Sequence, residues 1–155
     1  MRLTDIIQPD CVKVPLDAHD KHAAIDELAD LLVAHTPITD AQGLRDAVWQ
    51  RETTRTTGIG HGIGIPHGKT PTVDTLRMAI GLAPEGLDFA AIDGKPVHLI
   101  LLLASPTDQT GPHIQALASV SRLLTNPDLR DAMLAAPSAS ALYQLIADHE
   151  SQAVA

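Results

Sequence analysis

Between positions 58 and 70 the chain reads Gly58-Ile59-Gly60-His61-Gly62-Ile63-Gly64-Ile65-Pro66-His67-Gly68-Lys69-Thr70. Glycines ahead of a lysine suggest a phosphate cradle, but the spacing fails. A G-x-G-x-x-G pattern begun at Gly58 needs glycine where Ile63 stands, and one begun at Gly60 needs it where Ile65 stands. The Walker pattern ending in Gly68-Lys69-Thr70 also needs glycine at position 63. Each miss puts a β-branched side chain where backbone would have to approach phosphate. The stretch does offer His67, set between Pro66, whose ring fixes φ and removes an N–H, and the permissive Gly68. This arrangement predicts a strand that ends at Pro66 and an imidazole presented just beyond it, at a sheet edge. With an ordinary pKa near ~6.5 the ring is mostly neutral at neutral pH, leaving one nitrogen free to attack phosphorus. Phosphoryl transfer to such a nitrogen needs positioning and stabilised oxygens more than covalent help. His113, one residue after Pro112 at an expected helix N-terminus, and the guanidinium of Arg51 are the groups of suitable type. On the residues alone, a solvated loop histidine at 67 and a helix-start histidine at 113 remain alternatives.

Composition removes other chemistries. Lys plus Arg is 11 and Asp plus Glu 19, a formal charge of −8, which opposes binding to nucleic acid or anionic lipid. The three aromatics, Trp49, Phe89 and Tyr143, are too few for a base-stacking platform. The single cysteine, Cys11, can form neither an internal disulfide nor a multi-thiolate zinc site and reads as a small core residue. No apolar leader occupies Met1 to Asp10, and the longest wholly apolar run, Leu99 to Ala104, falls well short of a membrane span. The expectation is a soluble cytoplasmic protein without direct membrane insertion. A metal-dependent hydrolase using His61, His67 and His113 is a third reading, resting on the eight histidines alone. It lacks a H-E-x-x-H helix and a carboxylate within the glycine stretch. His19, His22, His35, His98 and His149 are assigned to solvated helix faces or a strand.

The elements that must position these groups follow from periodicity. At 155 residues the chain is read as one domain over 1–150 with a flexible tail over 151–155. Cys11 to Val14 alternates as a strand, and Asp20 caps a helix bearing Ile25, Leu28, Leu31 and Leu32. Thr39 with Gln42 forms a capping box for the helix that carries Arg51. Leu76 to Ala83 and Val97 to Ala104 read as strands, the second so apolar that it belongs at the sheet centre. Asp93-Gly94 marks a turn between them. Pro112 suits a first helical position, Asn126-Pro127 opens a further helix, and Ser138 caps the last. Strands interleaved with helices predict an α/β fold, a mixed β-sheet flanked by helices.

From Thr57 to Gly60 and from Ile63 to Lys69 the chain closely resembles the phosphorylation-site motif of enzyme IIA domains of the phosphoenolpyruvate-dependent phosphotransferase system, fructose/mannitol type, which includes the nitrogen-regulatory paralogue. The resemblance implies that His67 accepts the phosphoryl group. It maps the family's Arg-Glu pair, 16 residues earlier, onto Arg51-Glu52, and its second active-site histidine, in a His-x-x-x-Leu context, onto His113 and Leu117. Pro106 to Thr110 looks like the loop before it, and the likeness runs from Leu3 to Ile146. His61 departs from the asparagine frequent in nitrogen-type members and is expected near the site as a loop residue. Lys69 is expected at the rim. Implied with the fold, an α/β sandwich, are a phosphocarrier function, an HPr-like phosphohistidine donor, and a IIB domain or regulatory target as acceptor, with no cofactor or metal. The nitrogen-regulatory type is favoured over a sugar-transport component. Ile59, Ile63 and Leu87 are the apolar candidates for a partner surface.

Overall fold

The structure is a computed structural model and describes residues 1–154. A 3-10 turn at Leu3–Asp5 opens the chain. Among the described residues the strands are β1 (Ile7–Lys13), β2 (Gly58–Gly60), β3 (Ile63–Gly64), β4 (His67–Lys69), β5 (Arg77–Leu87) and β6 (Val97–Ser105). The helices are α1 (Lys21–His35), α2 (Ala41–Thr54), α3 (Thr110–Leu124), α4 (Pro127–Leu134) and α5 (Ala139–Val154).

The most apolar run forms the middle of the sheet. β6 pairs antiparallel with β5 on one side, and β5 pairs parallel with β1. On its other side β6 takes β3 and then β4, both parallel, while β2 lies antiparallel outside β3. Because side chains alternate along a strand, Leu99, Leu101 and Leu103 enter the core beneath α3, α4 and α5. Ile100, Leu102 and Ala104 enter the one beneath α1 and α2. The result is the expected α/β sandwich, a mixed sheet with helices on both faces. Cys11 is buried in the second core, where desolvation first, and Asp10 next, push its thiol up to about 11. It is a packing residue, not a reactive one.

Several boundaries differ from expectation for local reasons. α2 is capped by Asp40, whose Oδ1 accepts from the Gly43 amide at 2.9 Å, and not by Thr39. The carboxylate lies over position 43, where a side chain would collide with it, so Gly43 accommodates the cap. α3 begins at Thr110, and Pro112 is its third residue, still among the four that lack an intrahelical acceptor for their N–H. The caps at Asp20, Asn126 and Ser138 are as expected. α5 continues to Val154, so residues 151–154 are helical where a tail is expected; Ser151 and Gln152 contain no helix breaker. Ala155, the end of that expected tail, lies outside the described residues.

The strand around Pro66 departs most. β3 stops at Gly64, two residues before Pro66, and a separate strand, β4, opens at His67: the Pro66 carbonyl accepts from the Leu103 amide at 3.0 Å, and His67 lies opposite Leu103. The pairing offset is the same on either side of the gap, Gly64 opposite Ile100 and His67 opposite Leu103, so the N–H that Pro66 lacks interrupts the ladder without shifting its register. His67 is therefore the first residue of a short strand beside the central one, and not a residue beyond the sheet. The glycines upstream serve a turn, with Gly60, His61 and Gly62 at φ of 97°, 58° and 78° between β2 and β3.

Candidate functional site

Pro66 holds Ile65 extended, so that the Ile65 carbonyl faces the ring two residues later. His67 Nδ1 lies 2.8 Å from that oxygen. A carbonyl can only accept, so Nδ1 carries the proton and Nε2 of the neutral ring holds the lone pair. Desolvation is the largest influence on His67 and lowers its pKa below the usual 6.5. The Ile65 bond opposes it, Arg51 reinforces it, and Glu52 and Lys69 contribute lesser effects of opposite sign. The ring is thus held neutral with its nucleophilic nitrogen available.

His113, on the first turn of α3, places its ring centroid 5.3 Å from that of His67 at an interplanar angle of 60°. Its amide is consumed by the Gln109 carbonyl at 3.1 Å, so the side chain, and not the backbone N–H expected from a helix start, is what the residue offers. The ring is buried, with Nδ1 2.6 Å from Ser105 Oγ at the end of β6. Burial, then the neighbouring His67 and Lys69, lower its pKa to about 4.

Arg51 reaches the same place through helix packing. β4 lies directly under α2 at Gly68, where a side chain would come within 2.8 Å of the Val48 amide nitrogen. That approach brings Arg51, one turn further along α2, beside the imidazole. Ala47, Arg51, His67, Gly68, Lys69 and His113 together line a cleft of ≈ 340 Å³. The guanidinium donates to the Arg55 carbonyl at 3.0 Å, and the Lys69 ammonium lies 3.4 Å from Thr110 Oγ1 at the rim. The cleft therefore holds a neutral nucleophilic nitrogen, a second imidazole and two cations, a set suited to a group with negatively charged oxygens.

Two supports escape sequence reasoning: the partner that Glu52 finds in Lys21, and Ser105. The Glu52 carboxylate, 1% exposed, is bridged by Lys21 Nζ at 2.9 Å and accepts the Thr57 amide at 2.7 Å. Thr57 in turn holds the Ile65 amide at 3.1 Å through its carbonyl. The Lys21–Glu52 pair thereby ties α1, the end of α2 and the backbone next to His67 together. Ser105 is the other support, and the only advance signal for it is a hydroxyl terminating the most apolar run.

His61 is not near the site. Ile63 pairs with Leu99 and His67 with Leu103, four residues or roughly 13 Å along β6, and His61 lies beyond Ile63 in the hairpin turn. It borders a different cleft with Asp93, Lys95 and His98. His61, His67 and His113 therefore do not assemble, and among the described residues no three His, Cys, Asp or Glu side chains cluster as metal ligands. Of the apolar candidates for a partner surface, Ile63 and Leu87 are buried and Ile59 is exposed, joined by Ile92 and Ile114. No described helix is long and apolar enough to cross a membrane.

The family model described as "Phosphoenolpyruvate-dependent sugar phosphotransferase system, EIIA 2" matches residues 5–149. The fructose-specific EIIA component of Haloferax volcanii is 38% identical over 128 residues, covering 83% of each chain. The fructose-specific EIIABC component of Bacillus subtilis is 32% identical over 97% of this chain, which spans only 24% of that protein's length. Among solved structures, the nitrogen regulatory protein IIA-Ntr of Neisseria meningitidis superposes with a TM-score of 0.84 at 25% identity, covering 92% of this chain and 97% of that one. The fold is also shared with the Escherichia coli mannitol IIA enzyme solved in complex with phosphorylated enzyme IIB (TM-score 0.78, 20% identity, 92% and 99% covered).

Proposed function

The chain belongs to the EIIA 2 family of the phosphoenolpyruvate-dependent sugar phosphotransferase system, and from that premise we propose that it is a phosphocarrier whose acceptor atom is Nε2 of His67. The observation that carries this is the bond from His67 Nδ1 to the Ile65 carbonyl, which leaves Nε2 unprotonated in a cleft shared with Arg51 and His113. The Nε2 lone pair attacks the phosphorus of a phosphohistidine on an HPr-like donor. The donor's N–P bond breaks with its electron pair returning to the donor imidazole, and a new N–P bond forms on His67. The proton stays on Nδ1 throughout, donated to the Ile65 carbonyl. Arg51 and Lys69 offset the charge on the phosphoryl oxygens, and His113 supplies a hydrogen bond to them.

The exposed Ile59, Ile92 and Ile114 form the apolar part of the partner contact. The phosphoryl group then leaves for a IIB domain or alters binding to a regulatory target. The nitrogen-regulatory reading is favoured by the superposition on the Neisseria protein, and the sugar-transport reading by the identity to the Haloferax component. The cytoplasm, where such donors act, is the proposed location.

The test is incubation with phosphoenolpyruvate, enzyme I and HPr. An acid-labile, base-stable phosphate is expected on the intact protein and lost in His67→Ala. Label that survives that substitution places the acceptor elsewhere. Passage of label from the phosphorylated protein to a IIB domain would select sugar transport over regulation.

A further inference from the structure

The two imidazoles of the cleft touch their surroundings through the same atom, Nδ1, but the partners differ in kind. His67 Nδ1 meets a carbonyl oxygen, which can only accept. His113 Nδ1 meets the hydroxyl of Ser105 at 2.6 Å, which can donate or accept. Burial resolves that ambiguity. Ser105 has 0% exposure, and its hydroxyl has no hydrogen-bond partner among the described residues other than His113 Nδ1. If His113 donated from Nδ1, the Ser105 proton would be buried and unpaired, at a cost of about 1–3 kcal/mol. If Ser105 donates, both groups are satisfied. The neutral ring then carries its single proton on Nε2.

We propose that Ser105 is a positioning residue that fixes His113 as the Nε2–H tautomer, so that this ring donates a hydrogen bond to the phosphoryl oxygens while His67, locked in the opposite tautomer, accepts phosphorus. The inference rests on the phosphocarrier reading for its consequence, though not for the tautomer itself. Two neutral histidines 5.3 Å apart are thereby made chemically unlike, one a nucleophile and one a donor, by what stands behind each ring. Burial keeps His113 neutral, so the donor role depends on the tautomer and not on protonation. Ser105 is well placed for this because its own carbonyl accepts the Thr70 amide at 3.0 Å, which anchors the end of β6 against the residue that follows β4.

The test is nitrogen NMR of the unphosphorylated, histidine-labelled full chain at pH 7.5. His113 is expected to show an unprotonated Nδ1 and a protonated Nε2, and His67 the reverse. A His113 signal with protonated Nδ1 overturns the proposal without recourse to any variant. In Ser105→Ala, His113 is expected to lose the single tautomer, and phosphoryl acceptance from phosphorylated HPr to slow by about 10- to 100-fold. Ser105→Thr, which keeps the hydroxyl, should retain the tautomer. An alanine variant that keeps both the wild-type tautomer and the wild-type rate would sink the idea. The tautomer is read without phosphate present, so its failure is distinct from failure of His67 to take label, which would instead overturn the phosphocarrier reading.

Discussion

Replacing Gly68 with alanine should disable the cleft without touching any group that meets phosphate. A methyl at this position would lie 2.8 Å from the Val48 nitrogen, 2.9 Å from the Ala47 carbonyl carbon and 3.0 Å from the Val48 Cα. All three atoms are helix backbone and cannot rotate away. Ordinary contact begins at 3.4 Å, so α2 must withdraw by about 0.6 Å (3.4 − 2.8) or β4 must bend. Overpacking of this kind costs about 1–3 kcal/mol. The second consequence is kinetic. Arg51 is one turn beyond Val48 and moves with the helix, and a misplacement near 1 Å can cost ~10²-fold, so a shift of this size should slow phosphoryl acceptance by roughly tenfold. Urea unfolding gives the first quantity, and rapid-quench transfer of radiolabelled phosphate from HPr the second. A Gly68→Ala protein as stable and as fast as wild type would refute the claim that this contact places the arginine.

Two further outcomes follow from burial. Because the His67 pKa is lowered by desolvation, NMR titration of its ring should show protonation only below pH 6.5, and acceptance should fail as pH falls through that lowered value; a midpoint above 6.5 contradicts the geometry. His113, with its folded pKa at about 4 against 6.5 unfolded, contributes stability that is complete above pH 6.5 and lost as pH falls toward 4. The contribution is on the order of 3 kcal/mol and should be missing from the pH profile of His113→Phe. Lys21→Met strands the Glu52 carboxylate, which should destabilise the protein by about 3–5 kcal/mol in urea unfolding; Lys21→Met with Glu52→Gln should recover most of that, and a single variant within ~1 kcal/mol of wild type would show the pair to be idle.

The fold was largely legible because its main signals are local. An apolar run with no polar interruption is stable only when covered on both faces, which made β6 central, and carboxylate, amide and hydroxyl caps act over three residues. The misreadings were also local. At Pro66 the missing N–H does interrupt the ladder, but the chain keeps its offset against β6 and pairs again from His67, which only the neighbouring strand decides. At Thr39 two residues capable of capping stand side by side, and only the path of the chain chooses Asp40. His61 lies six residues before His67, yet a hairpin and a strand carry it to the other end of β6.

What the sequence determined by itself is the presence of His67 between a proline and a glycine, with an arginine and a second histidine at family spacing. These are matters of residue type and order. The carbonyl that faces His67 is only two residues away, whereas the protonation pattern of His113 was decided by tertiary structure. A ring nitrogen takes its proton according to the atom that faces it, and at His113 that atom belongs to another element, the end of β6. Equally, the Lys21–Glu52 pair that steadies the backbone beside His67 joins residues 31 positions apart (52 − 21), and their charges could meet only once α1 and α2 had packed on the same face of the sheet.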